Sequence, residues 1–422
     1  MEKPQTEMKS GTDPVAVFKA LGKGVIGGVI PSKVNRNAKL FLVGGVLNGL
    51  SNGVFNAILQ LYLASLGFTG QSLGSIFMMN ALATTILTIP AGILADRFGK
   101  KPILIIGLAS CALSMAIFFS STTVEMFALS FLLVGVCNAS GSVLTPLYSG
   151  FFETGDMDKA FGFYGLVNLI SLSVGSLVGF IPPFLVLKAG MNLTGAYFLT
   201  MSSAGALFIV QNIFFYLSST GLTENLQNGS AFNLKSKTFV LKVSFLSFLS
   251  SLADVLTFGL FPYYVNSKFG VESSVLGTMF FVSNLGMAIS KGAAASLSKK
   301  LGGLRSISTG ITISAICVLL MPFSPGYAIL TILFVIRCAT RFMSDPIISS
   351  IFMKNVLPEE KSTANSIRLI GLNGSGIIGP YIGGTLMDQV SLDAAPVMTG
   401  MLTLMVAGLY PILLRKEAKL LN

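Results

Sequence analysis

The sequence predicts an all-α membrane protein, twelve transmembrane helices arranged as two pseudo-symmetric six-helix halves. Three observations lead there. The chain of 422 residues is 52% hydrophobic and only 11% charged, under half the roughly 25% charge of soluble domains. Apolar runs of about 20 residues, the length a helix needs to cross a ~30 Å hydrocarbon core, recur twelve times. The second half of the chain also repeats the first.

The runs lie at 40–65, 73–94, 102–120, 124–147, 161–187, 195–217, 239–265, 274–297, 305–323, 328–352, 362–387 and 394–414, numbered here as spans 1 to 12. They divide the chain into an N-terminal segment (1–38), a first half (39–217), a polar central loop (218–238), a second half (239–416) and a short tail (417–422). Residues 14–30 carry Phe18, Leu21, Val25 and Val29 at helical spacing beside Lys19 and Lys23, the pattern of a helix lying on a membrane surface. Four glycines in the stretch suit a flexible tail equally well. A polar segment precedes the first apolar run, so no cleavable signal pattern is expected.

The repeat is read from paired positions. Leu73-Gly74 resembles Leu276-Gly277, Gly67 falls on Gly270 and Gly99 on Gly302, all offset by 203. Thr145-Pro146 resembles Asp345-Pro346 at 200, and Gly175-xxx-Gly179 falls on Gly379-xxx-Gly383 at 204. Duplicated halves of this kind place a substrate site between them near mid-membrane.

Net charge is +11, and its distribution matters more than its size. With the N-terminus inside, 21 of the 28 Lys and Arg fall in inside segments and only Lys188 and Lys268 in outside loops. This bias places both termini in the cytoplasm of a cell membrane and accounts for the basic balance without nucleic acid. Histidine is absent, which removes Ser-His-Asp and Cys-His nucleophiles and HExxH metal sites. Cys111, Cys137, Cys317 and Cys338 stand singly in apolar runs and read as small core residues. No enzyme, metal or cofactor is expected.

Between spans 2 and 3 the chain reads Gly92-Ile-Leu-Ala-Asp96-Arg97-Phe-Gly99-Lys100-Lys101. Topogenic charge explains the lysines, but not an acid at 96. The stretch matches the G-xxx-D-R-x-G-[RK]-[RK] signature of the major facilitator superfamily position by position, and with the twelve spans and the repeat the resemblance extends over roughly residues 38–416. It implies secondary transport by alternating access. It also implies a latch, in which the Asp96 carboxylate meets the N-terminus of span 11, where the helix dipole favours an anion, and locks the outward-open state. In the second copy Gly302 survives, but Lys299 and Lys300 stand at the Asp-Arg positions, so the latch is expected to be asymmetric. Gly379-Pro380-Tyr-Ile-Gly383-Gly384 in span 11 resembles a motif that antiporters of the family carry in span 5. Small residues that let helices approach closely explain it as well.

Charges inside spans are expensive and are site candidates by default. Span 10 carries Arg337, Arg341 and Asp345 at i, i+4, i+8, on one helix face. Asp345 can pair with Arg341, which leaves Arg337 as an anion anchor or as part of a structural network, with Arg368 of span 11 at a depth to join it. Asp254 in span 7 is the other acid well inside a span. It is the first candidate for proton coupling, followed by Asp345, and a salt bridge to Arg337 is the competing role. Lys242 and Lys291 are within reach of the interface and are expected to snorkel.

Span 1 presents Asn48, Asn52, Asn56 and Gln60, each four apart, a polar stripe roughly 18 Å long at the rise of a helix. Buried amides in lipid need partners, so the stripe should face protein or a water-filled cavity. The family resemblance makes spans 1, 4, 7 and 10 the cavity lining, and Asn138, Asn168, Asn284 and Asn373 could extend it. The expected protein is therefore a monomeric carrier of a small organic solute in the lipid bilayer, coupled to a proton. Arg337 points to an anionic or amphipathic substrate and span 11 to export. An uptake permease of the same fold, a channel and a transport-dead receptor are the alternatives.

Overall fold

The computed structural model describes residues 34–152, 156–220, 236–357 and 361–418. The surface helix expected over 14–30 and most of the central loop lie outside them. All regular structure among the described residues is helical.

Eight spans are continuous: span 1 (Arg36–Ser65), 2 (Gly70–Phe98), 3 (Lys100–Ser120), 6 (Leu193–Ser218), 8 (Ser273–Leu301), 9 (Gly303–Leu320), 11 (Lys361–Gln389) and 12 (Ala394–Ala418). Four runs that read as single helices are each in two pieces. Span 4 is Val124–Ser140 and Leu144–Ser149, span 5 Met157–Ser176 and Ile181–Ala189, span 7 Lys237–Phe258 and Phe261–Phe269, and span 10 Tyr327–Phe342 and Ser344–Asn355. The cause is the same each time. Proline has no N–H and its ring clashes with the carbonyl four residues back, and the interruptions fall four residues before Pro146, Pro182, Pro262 and Pro346. Spans 4 and 5 bridge the gap with a 3-10 turn (Gly141–Val143 and Leu177–Phe180).

Among the described residues eleven helices are long and apolar enough to cross a membrane. Span 11 has the length, 29 residues, but its glycines, Asn365, Arg368 and Asn373 dilute its apolar character. It is nonetheless embedded, packed on span 7 of its own half and on span 2 of the other.

The two halves show the expected symmetry in backbone detail. Gly67 and Gly270 have φ of +88° and +63°, and Gly99 and Gly302 have +89° and +83°, a region glycine enters without steric cost. Gly175 lets the Leu50 backbone of span 1 approach, and the corresponding Gly379 makes room for the Val255 side chain of span 7. Between the halves, a β-carbon on Gly74 would land on the Pro380 carbonyl, one on Gly384 on Gly70, and one on Gly179 on Ser273. Spans 2 and 11, and spans 5 and 8, thus meet backbone to backbone, as close-packed membrane helices do.

Hydrogen bonds between the halves gather at the end opposite the termini. The Asp388 carboxylate accepts from the backbone N–H of Gly70 (3.1 Å) and Gln71 (2.7 Å), and Gln71 Nε2 donates to Tyr381 Oη. Ser273 Oγ donates to Gly179 O at 2.8 Å. Gln60 Nε2 donates to Gly259 O at 2.8 Å while its Oε1 accepts from Tyr263 N at 3.1 Å.

Candidate transport site

The charged residues of spans 7 and 10 converge inside the second half. Asp254 sits on the first piece of span 7, one turn before Phe258, so both face span 10. Arg337 Nη2 donates to Asp254 Oδ1, Arg341 Nη2 meets Asp254 Oδ2 at 2.9 Å, and Arg341 Nη1 meets Asp345 Oδ1 at 3.1 Å. One chain of charge, Arg337–Asp254–Arg341–Asp345, therefore crosses the break in span 10. Phe258 completes it, with the Arg337 guanidinium 3.6 Å from its ring centroid, a cation–π contact that is strong where water is scarce.

Accessibility within this chain is uneven. The Arg337 and Arg341 side chains are 3% and 7% exposed, while Asp254 is 18% and Asp345 40%. The exposed edge of the network is acidic, and the guanidiniums stand behind it. Arg337 Nε and Arg368 Nε have no hydrogen-bond partner. Arg368 donates to Ser349 Oγ at 3.5 Å and lies over Phe352; it forms no ion pair with Asp345 among the described residues. Lys291, expected to snorkel, is exposed, with Nζ 5.5 Å from the Phe342 centroid, the ring that Arg337 and Arg341 also flank. Lys242 donates to Leu413 O at 3.4 Å.

The amide stripe of span 1 divides. Gln60 joins the halves as described. Asn52 and Asn56 are exposed along the helix, and Asn52 Nδ2 donates back to Asn48 O. Asn48 Oδ1 accepts from Asn168 Nδ2 at 3.2 Å, tying span 1 to span 5. Asn48 and Asn138 come together at a recess of about 80 Å³ between spans 1, 3, 4 and 6. That recess is completed by Gln211 and Asn212 in the last third of span 6, two adjacent amides inside a span and so a signal present in the sequence. Asn284 is buried at 7% and Asn373 exposed; neither joins the charge chain nor the recess.

In the expected latch, Asp96 ends span 2 one turn before the left-handed Gly99, which turns the chain into span 3 at Lys100. Arg97 and Lys101 are exposed, and a β-carbon on Gly92 would meet open space. The Asp96 side chain lies outside the described residues.

Two six-helix halves joined at one end, with polar and ion-paired groups held at mid-membrane, define a multi-pass membrane transporter. The chain belongs to the Major Facilitator Superfamily, whose family model matches residues 41–239 and 243–421. It is 25% identical over 402 residues to the tetracycline resistance protein, class H, of Pasteurella multocida, covering 90% of this chain and 95% of that one. It is 24% identical over 386 residues to the quinolone resistance protein NorA of Staphylococcus aureus, covering 87% and 93%. The crystal structure of the nucleoside transporter NupG superimposes with a TM-score of 0.69 at 15% identity, over 90% of this chain and 100% of that one.

Proposed function

We propose that the protein exports a small amphipathic organic solute from the cytoplasm across a cell membrane in exchange for protons, as a monomer with both termini in the cytoplasm. The observation that carries this reading is the Arg337–Asp254–Arg341–Asp345 chain and its acidic exposed edge. A carboxylate that two guanidiniums hold at the cavity is a site where a proton and a substrate's hydrogen-bond donor compete for the same oxygens. Competition of that kind yields exchange, since each ligand lowers the affinity for the other by the same factor. The resistance proteins among its relatives support export.

The contacts support alternating access. With the halves joined opposite the termini through Asp388, Gln60 and the paired glycines, the cavity of this state opens toward the terminal, cytoplasmic end. Solute enters there, the Asp388 and Gln60 contacts part as the halves rock, and the Asp96 latch closes the cytoplasmic end. A proton arriving on Asp254 from outside weakens its hold on Arg337 and Arg341 and releases the solute.

A second reading takes an anionic substrate. It is favoured by the excess of cations, Arg337, Arg341, Arg368 and Lys291 around Asp254 and Asp345, and by the unpartnered Arg337 Nε. In that case proton and anion bind together and travel together. The deciding experiment is flux into proteoliposomes under an imposed pH gradient, across neutral, acidic and cationic amphipaths. Saturable uptake into vesicles acidified inside supports exchange, and uptake driven by acid outside supports the anion reading. Non-saturable flux would mean a channel, and no flux of any solute would overturn transport by this chain.

A further inference from the structure

The break in span 7 is held by two sets of contacts. One comes from the first half, where Gln60 donates to Gly259 O and accepts from Tyr263 N. The other is aromatic and lies within the second half. Phe258 is the last residue of the first piece of the span, and Phe261 opens the second. Their ring centroids are 5.3 Å apart, and the Phe258 ring stacks on Phe334 of span 10 at 5.8 Å and 27°. Phe261 and Phe334 stack on each other at 4.2 Å. The three rings tie both pieces of span 7 to span 10 across the gap.

The Phe258 ring also carries the Arg337 guanidinium, 3.6 Å from its centroid. Arg337 has few other partners. Its Nη2 donates to Asp254 Oδ1, its Nη1 reaches the Cys338 thiol at 3.9 Å, and its Nε has no hydrogen-bond partner. A cation that is 3% exposed therefore rests on one carboxylate and one ring face, and such a face attracts it most where water is scarce. Asp254 and Phe258 are one turn apart on one helix face, so Arg337 straps them together. The groups around Asp254 are Arg337, Cys338 and Arg341 of span 10, with Asp345 and Tyr410 of span 12 beyond Arg341.

We propose that Phe258 is a positioning residue that carries the charge state of Asp254 to the joint between the halves. Arg337 holds the ring beside the carboxylate, and the ring sets the end of the helix at which Gly259 O receives Gln60. The joint, with its Gln60 bonds made or parted, is the two-state element that both contacts bias. The inference rests on reading Asp254 as the proton site, and it names the route by which a proton there bears on which end of the cavity is open.

The experiment uses the purified full chain with spin labels at the exposed Ser65 and Ser391, one on each half, and reads the ratio of long to short distances without solute or gradient. Phe258 is replaced by phenylalanines carrying one, two and three fluorines, which drain the ring's negative face and barely alter its shape. The trifluorinated ring is expected to raise the ratio about three- to tenfold, the range of a cation–π contact, with the lighter rings in between. Asp254→Asn is expected to raise the ratio in the otherwise natural chain and to leave it unchanged in Phe258→Leu. A flat fluorine series overturns the proposal, and so does an Asp254→Asn effect that persists undiminished in Phe258→Leu. The fluorinated series decides it whether or not the leucine variant folds. Proton-driven exchange that persists beside a flat series would remove this route alone, whereas a graded series without any such exchange would remove the exchange reading and keep the contact.

Discussion

The side-chain amide of Gln60 occupies the place of a missing helical hydrogen bond in span 7. In an unbroken helix Tyr263 N–H would donate to Gly259 O. Pro262 interrupts the helix there, and Gln60, from the other half of the molecule, accepts from Tyr263 N and donates to Gly259 O. Two of the groups that the break orphans are thus satisfied across the half-to-half boundary.

Gln60→Leu should therefore destabilise this state relative to the oppositely open one. Leaving the two backbone groups unpaired costs about 1–3 kcal/mol, a roughly 5- to 150-fold shift in the population. Spin-label pairs across the halves, at the end opposite the termini, should show the longer distance gaining population. Unchanged distances would assign Gln60 to span 7 geometry alone.

Asp388 holds the same end by a different route. Its carboxylate takes the first two N–H groups of span 2 and the hydroxyl of Tyr263 at 3.1 Å, donors that a helix start leaves without internal partners. Asp388→Ala should favour the oppositely open state by about 1.5–3 kcal/mol, the range for hydrogen bonds to a charged group. Asp388→Asn should retain part of the effect. Labelling of a cysteine placed at Asn52 by an impermeant reagent, compared from the two sides, measures it.

Asp254→Asn should abolish accumulation driven by a pH gradient while solute-for-solute exchange continues. Removing one member of a buried pair typically costs 3–5 kcal/mol, so a fall in Tm is expected too. The double change Asp254→Asn with Arg337→Gln should recover stability and leave coupling absent. Coupling that survives in either variant would move the proton to Asp345 or elsewhere.

Gly74→Val tests the contact of spans 2 and 11. Its side chain would meet the Pro380 backbone, and crowding of this kind costs about 1–3 kcal/mol. A lower Tm is expected, together with slower turnover measured as solute counterflow. Gly92→Val, in open space, should leave Tm unchanged.

The twelve spans and the two related halves are legible in the sequence because composition and the glycine offsets are local signals. Gly67 with Gly270, and Gly99 with Gly302, take matching left-handed turns. The pairing of Arg341 with Asp345 is likewise written in an i, i+4 spacing. Contacts between distant segments are not. Gln60 reads as one more amide of a stripe, and its partner lies 203 residues away. Asp388 reads as the end of a span, and nothing local marks it as the cap of a helix 317 residues earlier. The burial of Arg337 behind Asp254 depends on how spans 7 and 10 pack, which no periodicity specifies. The breaks are legible only in part: each lies four residues before a proline, but Pro90, Pro380 and Pro411 stand inside continuous helices.

Span 11 bears on how the protein is made. Among the described residues it is the span with the least apolar character, and it emerges from the ribosome after ten others. Its partners, spans 2 and 7, are by then in place to offer the close backbone contacts and amide partners that lipid does not. Its composition and its contacts thus favour insertion by docking upon an assembled scaffold. A chain damaged in span 2 would fail at a late stage of biogenesis, far along the sequence from the lesion.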